Sequence, residues 1–379
     1  MKRTLVMRCL GLWRSRVVLV FIPVIIVLEG CAFHSSGGKA RPEIRYGVYA
    51  GEYQMQTNVG MIIRPDRDRL MAKVAGQDYF QLFPSGNDEF VFKVVDARIQ
   101  FARSHGGAVT GFALHQDGKN YHFDRTSPTV PDDGSKRINA GGYRVRMIVK
   151  GNGTPTVVFE AGLGESLDGW GKVFPAVSGF VRAVEYDRSG LGLSERAGSP
   201  RTAGHVAQDL HRALRNAQIK PPYVLVGNSA GGLYSRVFAR LFPKEVAGLA
   251  LVEPSSEEYE QWLHQNHPEA FATAKDELKT ATEGFRDHVA GWKVALEEAF
   301  AAWPLPAVPV VVLTGIRCEP DEAEKKQMWL TMHRRLVERI PGARHIVSSR
   351  SGHGLASEEP ELVVRAVGEL VDEIRKRQR

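Results

Sequence analysis

The chain has 379 residues and a formal net charge of +7, and the part after residue 30 is long enough for two domains. Residues 1–30 hold five basic residues and one acidic residue, so more than half of the net charge lies there and does not indicate a nucleic-acid partner. Of three cysteines, Cys9 and Cys31 fall in the predicted export signal and at its end, which leaves Cys318 without a partner for an intrachain disulfide.

A basic segment followed by an apolar run opens the chain. The apolar run covers residues 17–28 and is preceded by five lysine and arginine residues. As a helix it would span about 18 Å, which is too short for a hydrocarbon core of about 30 Å. Residues 1–30 are therefore predicted to be an export signal and not a transmembrane anchor.

The end of this segment, Leu28-Glu29-Gly30-Cys31, resembles a bacterial lipobox, in which a small residue precedes a cysteine that receives lipid before cleavage. Glu29 is unusual at its position. The resemblance implies a lipid on Cys31, a tether over residues 31–43, and a lipoprotein anchored to a membrane and facing the periplasm or the cell surface. An ordinary signal peptide with a chance cysteine is the alternative.

Residues 44–126 consist of short runs in which apolar and polar residues alternate, with turns every eight to twelve residues. This pattern predicts a small antiparallel β domain, either a sheet or a barrel. The Y-A-G-E-Y start and the G-F-A-L-H-Q-D-G hairpin resemble the β-rich accessory domain attached to β-lactamase-like serine hydrolases. The resemblance implies a packing, dimerisation or substrate-presenting module. Residues 127–142 are the predicted linker, because they begin with a stretch rich in Pro, Ser and Asp.

The second predicted domain, 143–379, contains a strand, a tight turn and a helix in succession. The apolar run at 223–226 leads into G-N-S-A-G-G at 227–232, and a helical pattern follows at 233–241. This is the context of a nucleophile elbow, in which Ser229 stands exposed above the sheet and the glycines allow close backbone approach. An ordinary glycine-rich turn is the alternative.

A serine nucleophile needs a base, a group that orients the base, and donors for the oxyanion. In this arrangement the donors come from the residue after the serine and from a loop after an earlier strand. A buried-strand pattern at 156–160 precedes A-G-L-G at 161–164, so the backbone N–H groups of Ala230 and Leu163 are the candidate donors.

The E-A-G-L-G loop, the Y-D-R-S-G-L-G-L-S stretch at 186–194, the elbow and the S-G-H-G loop at 351–354 resemble the α/β-hydrolase family in order and spacing. The resemblance covers about residues 143–373. It implies an α/β fold with a mostly parallel sheet and a helical lid, and a structural role for Asp187. The family usually has His-Gly where this chain has Ala161-Gly162. A histidine side chain is therefore absent from residues 161–164, the oxyanion loop.

The triad partners follow the serine in the order acid, then histidine. His353 is the candidate base, because it lies between two glycines in the loop after the last predicted strand, whereas His345 falls inside that strand. Two acids compete. Glu253 directly follows the strand at 248–252, and Asp321 lies in a charged run after the strand at 308–314. Glu253 is favoured because it sits next to a strand end and before a rigid proline, while charged runs are typical of solvated helix starts.

An insertion at about 255–304 interrupts the strands and predicts two or three helices, which in this fold usually form a lid. Its aromatic residues either line an apolar acyl pocket or pack the insertion onto the sheet. His264 and His267 have a spacing that suits a metal, but no carboxylate or cysteine completes a set nearby, so no metal site and no cofactor is predicted.

The sequence therefore predicts a serine hydrolase that cleaves an ester or related acyl bond of a small-molecule or lipid-like substrate. Its alternatives are a peptidase or acyltransferase with the same triad, and a non-catalytic binding protein that keeps the fold.

Overall fold

The computed structural model describes residues 46–75, 77–268, 278 and 281–378, and it divides near residues 132 and 133 into two compact units. The predicted export signal, Cys31 and the tether lie outside the described residues. No helix within those ranges is both long and apolar enough to cross a membrane.

The first unit is a closed antiparallel barrel, in which each strand pairs with the next and β1 pairs with β8. A short 3-10 turn, Tyr46–Tyr49, precedes it. The strands are β1 Gly51–Gln54, β2 Gly60–Asp66, β3 Arg69–Val74, β4 Tyr79–Gly86, β5 Glu89–Phe92, β6 Ala97–Arg103, β7 Val109–Gln116 and β8 Lys119–Ser127. The predicted antiparallel β domain is confirmed.

Alternating side chains of these strands fill the barrel, because successive residues of a strand point to opposite faces. In β6, Ala97, Ile99 and Phe101 are buried, whereas Arg98 between them is exposed. Aromatic rings form much of the core: those of Phe101 and Phe112 meet edge to face at 5.6 Å between centroids. The same two-residue alternation is what predicted the strands.

The second unit is built on an eight-stranded sheet with the order β16-β15-β14-β13-β11-β12-β10-β9. Five of its seven pairings are parallel, and β9 and β10 form an antiparallel edge. The strands are β9 Lys136–Asn139, β10 Arg144–Lys150, β11 Thr156–Glu160, β12 Ala183–Tyr186, β13 Tyr223–Asn228, β14 Val246–Val252, β15 Val310–Gly315 and β16 Arg344–Ser348.

The first strand of this sheet lies inside the segment that the sequence predicts to be a linker, 127–142. Lys136–Asn139 pairs with Arg144–Lys150 through backbone hydrogen bonds, and none of its four residues is buried. An edge strand without buried side chains carries no apolar alternation, so composition alone indicates a loop there. The division near residues 132 and 133 falls within the predicted linker, and the sheet unit begins there with β9.

Helices cover both faces of the sheet. They are α1 Val173–Ser178, α2 Ala203–Asn216, α3 Ala230–Leu241, α4 Glu257–Asn266, α5 Glu283–Ala290, α6 Trp292–Ala301, α7 Ala323–Glu338, α8 Leu355–Glu358 and α9 Pro360–Arg377. Leu225 on β13 packs in the core formed with α2, α3 and α6, whereas Val224 and Val226 pack in the core formed with α1 and α9. Burial on both faces explains why the central strands are continuous apolar runs.

The insertion between β14 and β15 does not form a single module. Trp292, at the start of α6, is 1% exposed and packs in the same core as α2 and α3. Phe300 of the same helix is 62% exposed. Helix α6 therefore belongs to the body of the unit, and of the two alternatives for the aromatic residues, packing onto the body applies to Trp292.

Candidate active site

Ser229 lies between β13 and α3 with a backbone φ of 58° and ψ of −121°. This region is rarely occupied by residues other than glycine and stores about 1–3 kcal/mol of strain. The glycines around it permit the turn: a Cβ at Gly227 would lie 2.4 Å from the carbonyl oxygen of Gly231, and one at Gly231 would lie 2.0 Å from that of Glu160. The predicted elbow geometry is therefore present.

The parallel register brings the ends of three strands together. Glu160 at the end of β11 is paired with Gly227 of β13, and Asn228 of β13 is paired with Val252 of β14. Ser229 and Glu253, which follow Asn228 and Val252, consequently leave the sheet side by side. Carboxyl ends of parallel strands are the usual location of sites in α/β sheets.

Glu253 contacts His353 across one hundred sequence positions. Its Oε2 is 3.0 Å from Nδ1 of His353, which lies in the loop after β16. The carboxylate is fully buried, while the imidazole remains 17% exposed. The backbone of Glu253 has a φ of 50°, a second non-glycine residue in the left-handed region beside the elbow.

Three further donors surround the Glu253 carboxylate. The backbone N–H of Gly315 donates to Oε1, the indole Nε1 of Trp329 donates to Oε2 at 2.9 Å, and Nζ of Lys326 is 3.4 Å from Oε2. Burial by itself raises the pKa of Glu253, but the hydrogen bond with His353 and the charge of Lys326 outweigh it and lower the pKa. The carboxylate is therefore ionised where it meets His353.

Asp321, the alternative acid, lies in the short 3-10 turn Pro320–Glu322 and is exposed. The carboxyl group that is hydrogen-bonded to His353 is that of Glu253. The predicted preference for the strand-end acid agrees with this arrangement. A charged helix start points toward solvent because its side chains have no apolar face to bury.

A chain of buried hydrogen bonds lies behind Glu253. Nε2 of His333 is 2.8 Å from the carbonyl oxygen of Pro254, and its Nδ1 is 2.7 Å from the Thr314 hydroxyl, which is 2.8 Å from Nε2 of His345. A carbonyl only accepts, so Nε2 of His333 donates and its Nδ1 accepts from Thr314. Burial lowers the pKa of His333 to about 4, so the ring is neutral at pH 7.

The loop at 161–164 approaches the elbow through Gly231, whose missing side chain lets the backbone of Glu160 and Ala161 touch the start of α3. This places the loop that carries Leu163 beside the N-terminus that carries Ala230. Within the described residues, neither of these two N–H groups donates a hydrogen bond to the protein. Both amides that the sequence predicts to be oxyanion donors thus remain unused.

Asp187 is fully buried and accepts hydrogen bonds from the backbone N–H groups of Leu167 and Leu193 at 2.8 and 2.9 Å. These contacts tie two loops together, as the structural role implied by the family resemblance requires.

Helix α5 packs over the oxyanion loop. The ring of Phe285 lies so close to Gly164 that a Cβ there would come within 2.6 Å of it.

His264 and His267, whose spacing suits a metal, lie at the end of α4. Nε2 of His267 is 3.8 Å from the carboxylate of Glu324. Among the residues that the structure describes, no three metal-ligating side chains converge.

Several residues of the site were not identified from the sequence. They are Arg188, which contacts the oxyanion loop, Trp329 and Lys326 on α7, and the His333–Thr314 pair. Arg188 lies within the Y-D-R-S-G stretch, which was a usable signal. The residues of α7 carry no local signal, because only the packing of that helix brings them to Glu253.

A family model described as the alpha/beta hydrolase fold matches residues 155–283. The uncharacterised protein YqjL of Bacillus subtilis is 27% identical over 225 residues, which are 58% of this chain and 84% of YqjL. The AB hydrolase superfamily protein of Gibberella zeae is 31% identical over 113 residues, or 29% of this chain and 35% of that protein. The chain thus spans most of YqjL but only about a third of the Gibberella protein.

Among solved structures, a thermophilic esterase from Thermogutta terrifontis is 20% identical, with a TM-score of 0.49 over 63% of this chain and 98% of the esterase. The family match and the strand order with its elbow show that the second unit has the α/β-hydrolase fold.

Proposed function

We propose that the protein is a serine hydrolase that cleaves an ester or related acyl bond of a small-molecule or lipid-like substrate through an acyl-enzyme intermediate. The observation that carries the proposal is the hydrogen bond of 3.0 Å between buried Glu253 and His353, on the same sheet edge as the strained turn of Ser229. A binding protein has no need of an ionised acid oriented on a histidine beside a strained serine.

The proposed mechanism gives each nitrogen of His353 its own role. Nδ1 of His353 faces Glu253, and in this mechanism Nε2 takes the proton of Ser229 as its Oγ attacks the acyl carbonyl. The N–H groups of Ala230 and Leu163 receive the oxyanion. His353 then gives the proton to the leaving oxygen as the C–O bond breaks, and water repeats the sequence to release the acid and restore Ser229.

The comparisons support the class of reaction and not the substrate. The family match spans the oxyanion loop and the elbow, and a relative carries the name AB hydrolase superfamily protein. The mechanism uses side chains and amides of this chain, with water as the co-reactant. We propose that α4 and α5 form the lid, since α5 already packs on the oxyanion loop.

A fluorophosphonate probe, together with turnover of p-nitrophenyl esters of graded chain length, tests the proposal. We expect the probe to label the mature protein on Ser229, and Ser229→Ala to lose the label and at least about 10³-fold in kcat. Ser235→Ala, at a buried serine of the helix that follows Ser229, is the matched control and keeps both.

Folded wild-type protein that takes no label and turns over no ester would support the binding-protein alternative. Labelling with faster cleavage of peptide amides, or with transfer to an added alcohol, would instead support the peptidase or the acyltransferase.

We also propose that the protein is exported and anchored by a lipid on Cys31, on the strength of the signal and lipobox pattern. Cells grown with radioactive fatty acid should yield labelled protein, and Cys31→Ala should abolish the label while Cys318→Ala keeps it. Equal label on Cys31→Ala would contradict the proposal.

A further inference from the structure

Three backbone polar groups of the oxyanion loop, the carbonyls of Ala161 and Gly162 and the N–H of Gly162, bond to side chains that hold its shape. The carbonyl oxygens of Ala161 and Gly162 both accept from the guanidinium of Arg188, the first at 2.7 Å. The N–H of Gly162 donates to Oε2 of Glu165 at 2.8 Å. The N–H of Leu163 has no acceptor in the described part of the protein.

One peptide plane links Arg188 to that free amide. The carbonyl of Gly162 and the N–H of Leu163 belong to the same peptide unit, which is not among the cis bonds of the chain. In a planar trans peptide these two groups point in opposite directions. A guanidinium that fixes the carbonyl of Gly162 therefore also fixes where the N–H of Leu163 points, away from Arg188.

The charge of Arg188 acts on the same peptide. A cation on the carbonyl oxygen polarises the amide and makes its N–H a stronger donor, and this effect is large in a buried setting. Arg188 is only 2% exposed. Its counterion is Glu160, the last residue of β11, which accepts a hydrogen bond from Nη1 of Arg188 at 2.7 Å.

Arg188 is itself rigidly held. Tyr186 donates its hydroxyl proton to the other carboxylate oxygen of Glu160, and the ring of Tyr234 on α3 lies 5.2 Å from the guanidinium carbon. The next residue is fixed too, since Nε2 of His288 is 3.1 Å from the carbonyl of Ser189. The guanidinium is consequently a preorganised group and does not have to reorient during a reaction.

We propose that Arg188 is a positioning residue, which aims and polarises the N–H of Leu163 as an oxyanion donor. The inference rests on the proposed function and extends it, because it assigns the stability of the oxyanion hole to a side chain outside the triad. Arginine suits this task better than lysine, since its planar fork binds two carbonyls and a carboxylate together.

Arg188→Lys tests the proposal, because lysine keeps the charge but cannot span both carbonyls and Glu160. We expect kcat for a p-nitrophenyl ester to fall about 10- to 100-fold, less than the 10²–10³-fold typical of a donor removed outright. KM should stay within about twofold, because the donor acts on the transition state. Affinity for an alkyl boronic acid, which forms a tetrahedral adduct on serine, should fall by the same factor as kcat.

Arg146→Lys is the matched control. Arg146 is also buried, and its ion pairs with Asp133, Asp168 and Asp187 do not involve residues 161–164. The Arg146→Lys variant should lower the urea midpoint as Arg188→Lys does, but its kcat should stay within about twofold of wild type. If Arg188→Lys does not fold, Glu165→Ala provides a second variant, since it frees the N–H of Gly162 and should lower kcat about 3- to 10-fold.

The proposal is overturned if Arg188→Lys matches the Arg146→Lys control in kcat, or if its loss appears in KM alone. Failure of the proposed function is a different result: wild-type protein would neither take the fluorophosphonate label nor turn over ester, and both proposals would then fall.

Discussion

The barrel and the sheet unit bury different kinds of residue. Among the described residues of the barrel, the buried polar side chains are Asp66 and Gln116, and the core is otherwise apolar and aromatic. The sheet unit buries many charged or titratable groups, and several of them lie near the carboxyl ends of strands. They include Glu160, Glu185, Asp187, Arg188, Glu253, His288 and His333.

This difference is expected if the barrel core only stabilises the fold, whereas the sheet unit also holds the proposed active site. Burying a charge costs several kcal/mol unless it is paired and hydrogen-bonded, so a fold gains nothing in stability from collecting such groups. Glu253 has four donors and Arg188 has three acceptors, which offset that cost. Paired buried charges of this kind accompany the proposed active site, and burial of several charges has no counterpart among the described residues of the barrel.

Removing the charge of Glu253 should produce the largest effect. Glu253→Gln is expected to lower kcat about 10⁴-fold, because the amide no longer stabilises the imidazolium or fixes the tautomer of His353. Asp321→Asn, its matched control on the exposed turn, should leave kcat within about twofold. Steady-state ester hydrolysis measures both. Full activity in Glu253→Gln with a loss in Asp321→Asn would reverse the assignment.

A large-to-small change in the barrel core should lower stability without affecting turnover. Phe112→Ala is expected to cost about 3–5 kcal/mol of unfolding free energy, because the ring is 2% exposed and packs against Phe101 and Phe123. Thr110→Ala, at an exposed residue of the same strand, is the control.

The two units can be followed separately, because all six tryptophans lie outside residues 46–132. In urea, far-UV circular dichroism should show an earlier barrel transition in Phe112→Ala, while the tryptophan fluorescence transition and kcat stay at their wild-type values. An equal shift of both transitions would mean that the two cores unfold as one.

Protonation of buried His333 should lower the unfolding free energy of the sheet unit in acid. This effect is smaller than that of Phe112→Ala. Its pKa is about 4 when folded against about 6.5 when unfolded, so the unfolded chain binds the proton first as the pH falls. The associated stability is complete above pH 6.5 and declines toward pH 4, by about 3 kcal/mol.

Urea unfolding of wild type and His333→Gln at pH 7 and pH 4.5 measures this contribution. The free-energy gap between the two proteins should change by about 2–3 kcal/mol between those pH values, in favour of the variant at low pH. His288, whose pKa is lowered by burial, is present in both proteins, so its contribution cancels. Parallel pH dependence in the two proteins would contradict the assignment.

The sequence by itself determined the features that local patterns encode. Alternation with a period of two predicted the barrel strands, and continuous apolar runs predicted the central strands of the sheet. The elbow around Ser229 and the loop that presents His353 were also evident, because each lies within a few residues of a strand end. Such features follow from steric and burial rules that act over short distances along the chain.

Only the tertiary structure decided which groups meet. The contact of Glu253 with His353 depends on the parallel register and on the packing of α7, which brings Trp329 and Lys326 to the same carboxylate. Strand β9 was missed because an exposed edge strand is held by backbone pairing, which leaves no trace in composition. The hydrogen bonds from Arg188 to the oxyanion loop likewise join residues that follow two different strands. Contacts of this kind depend on distances in space between residues far apart in sequence, and no local pattern records those distances.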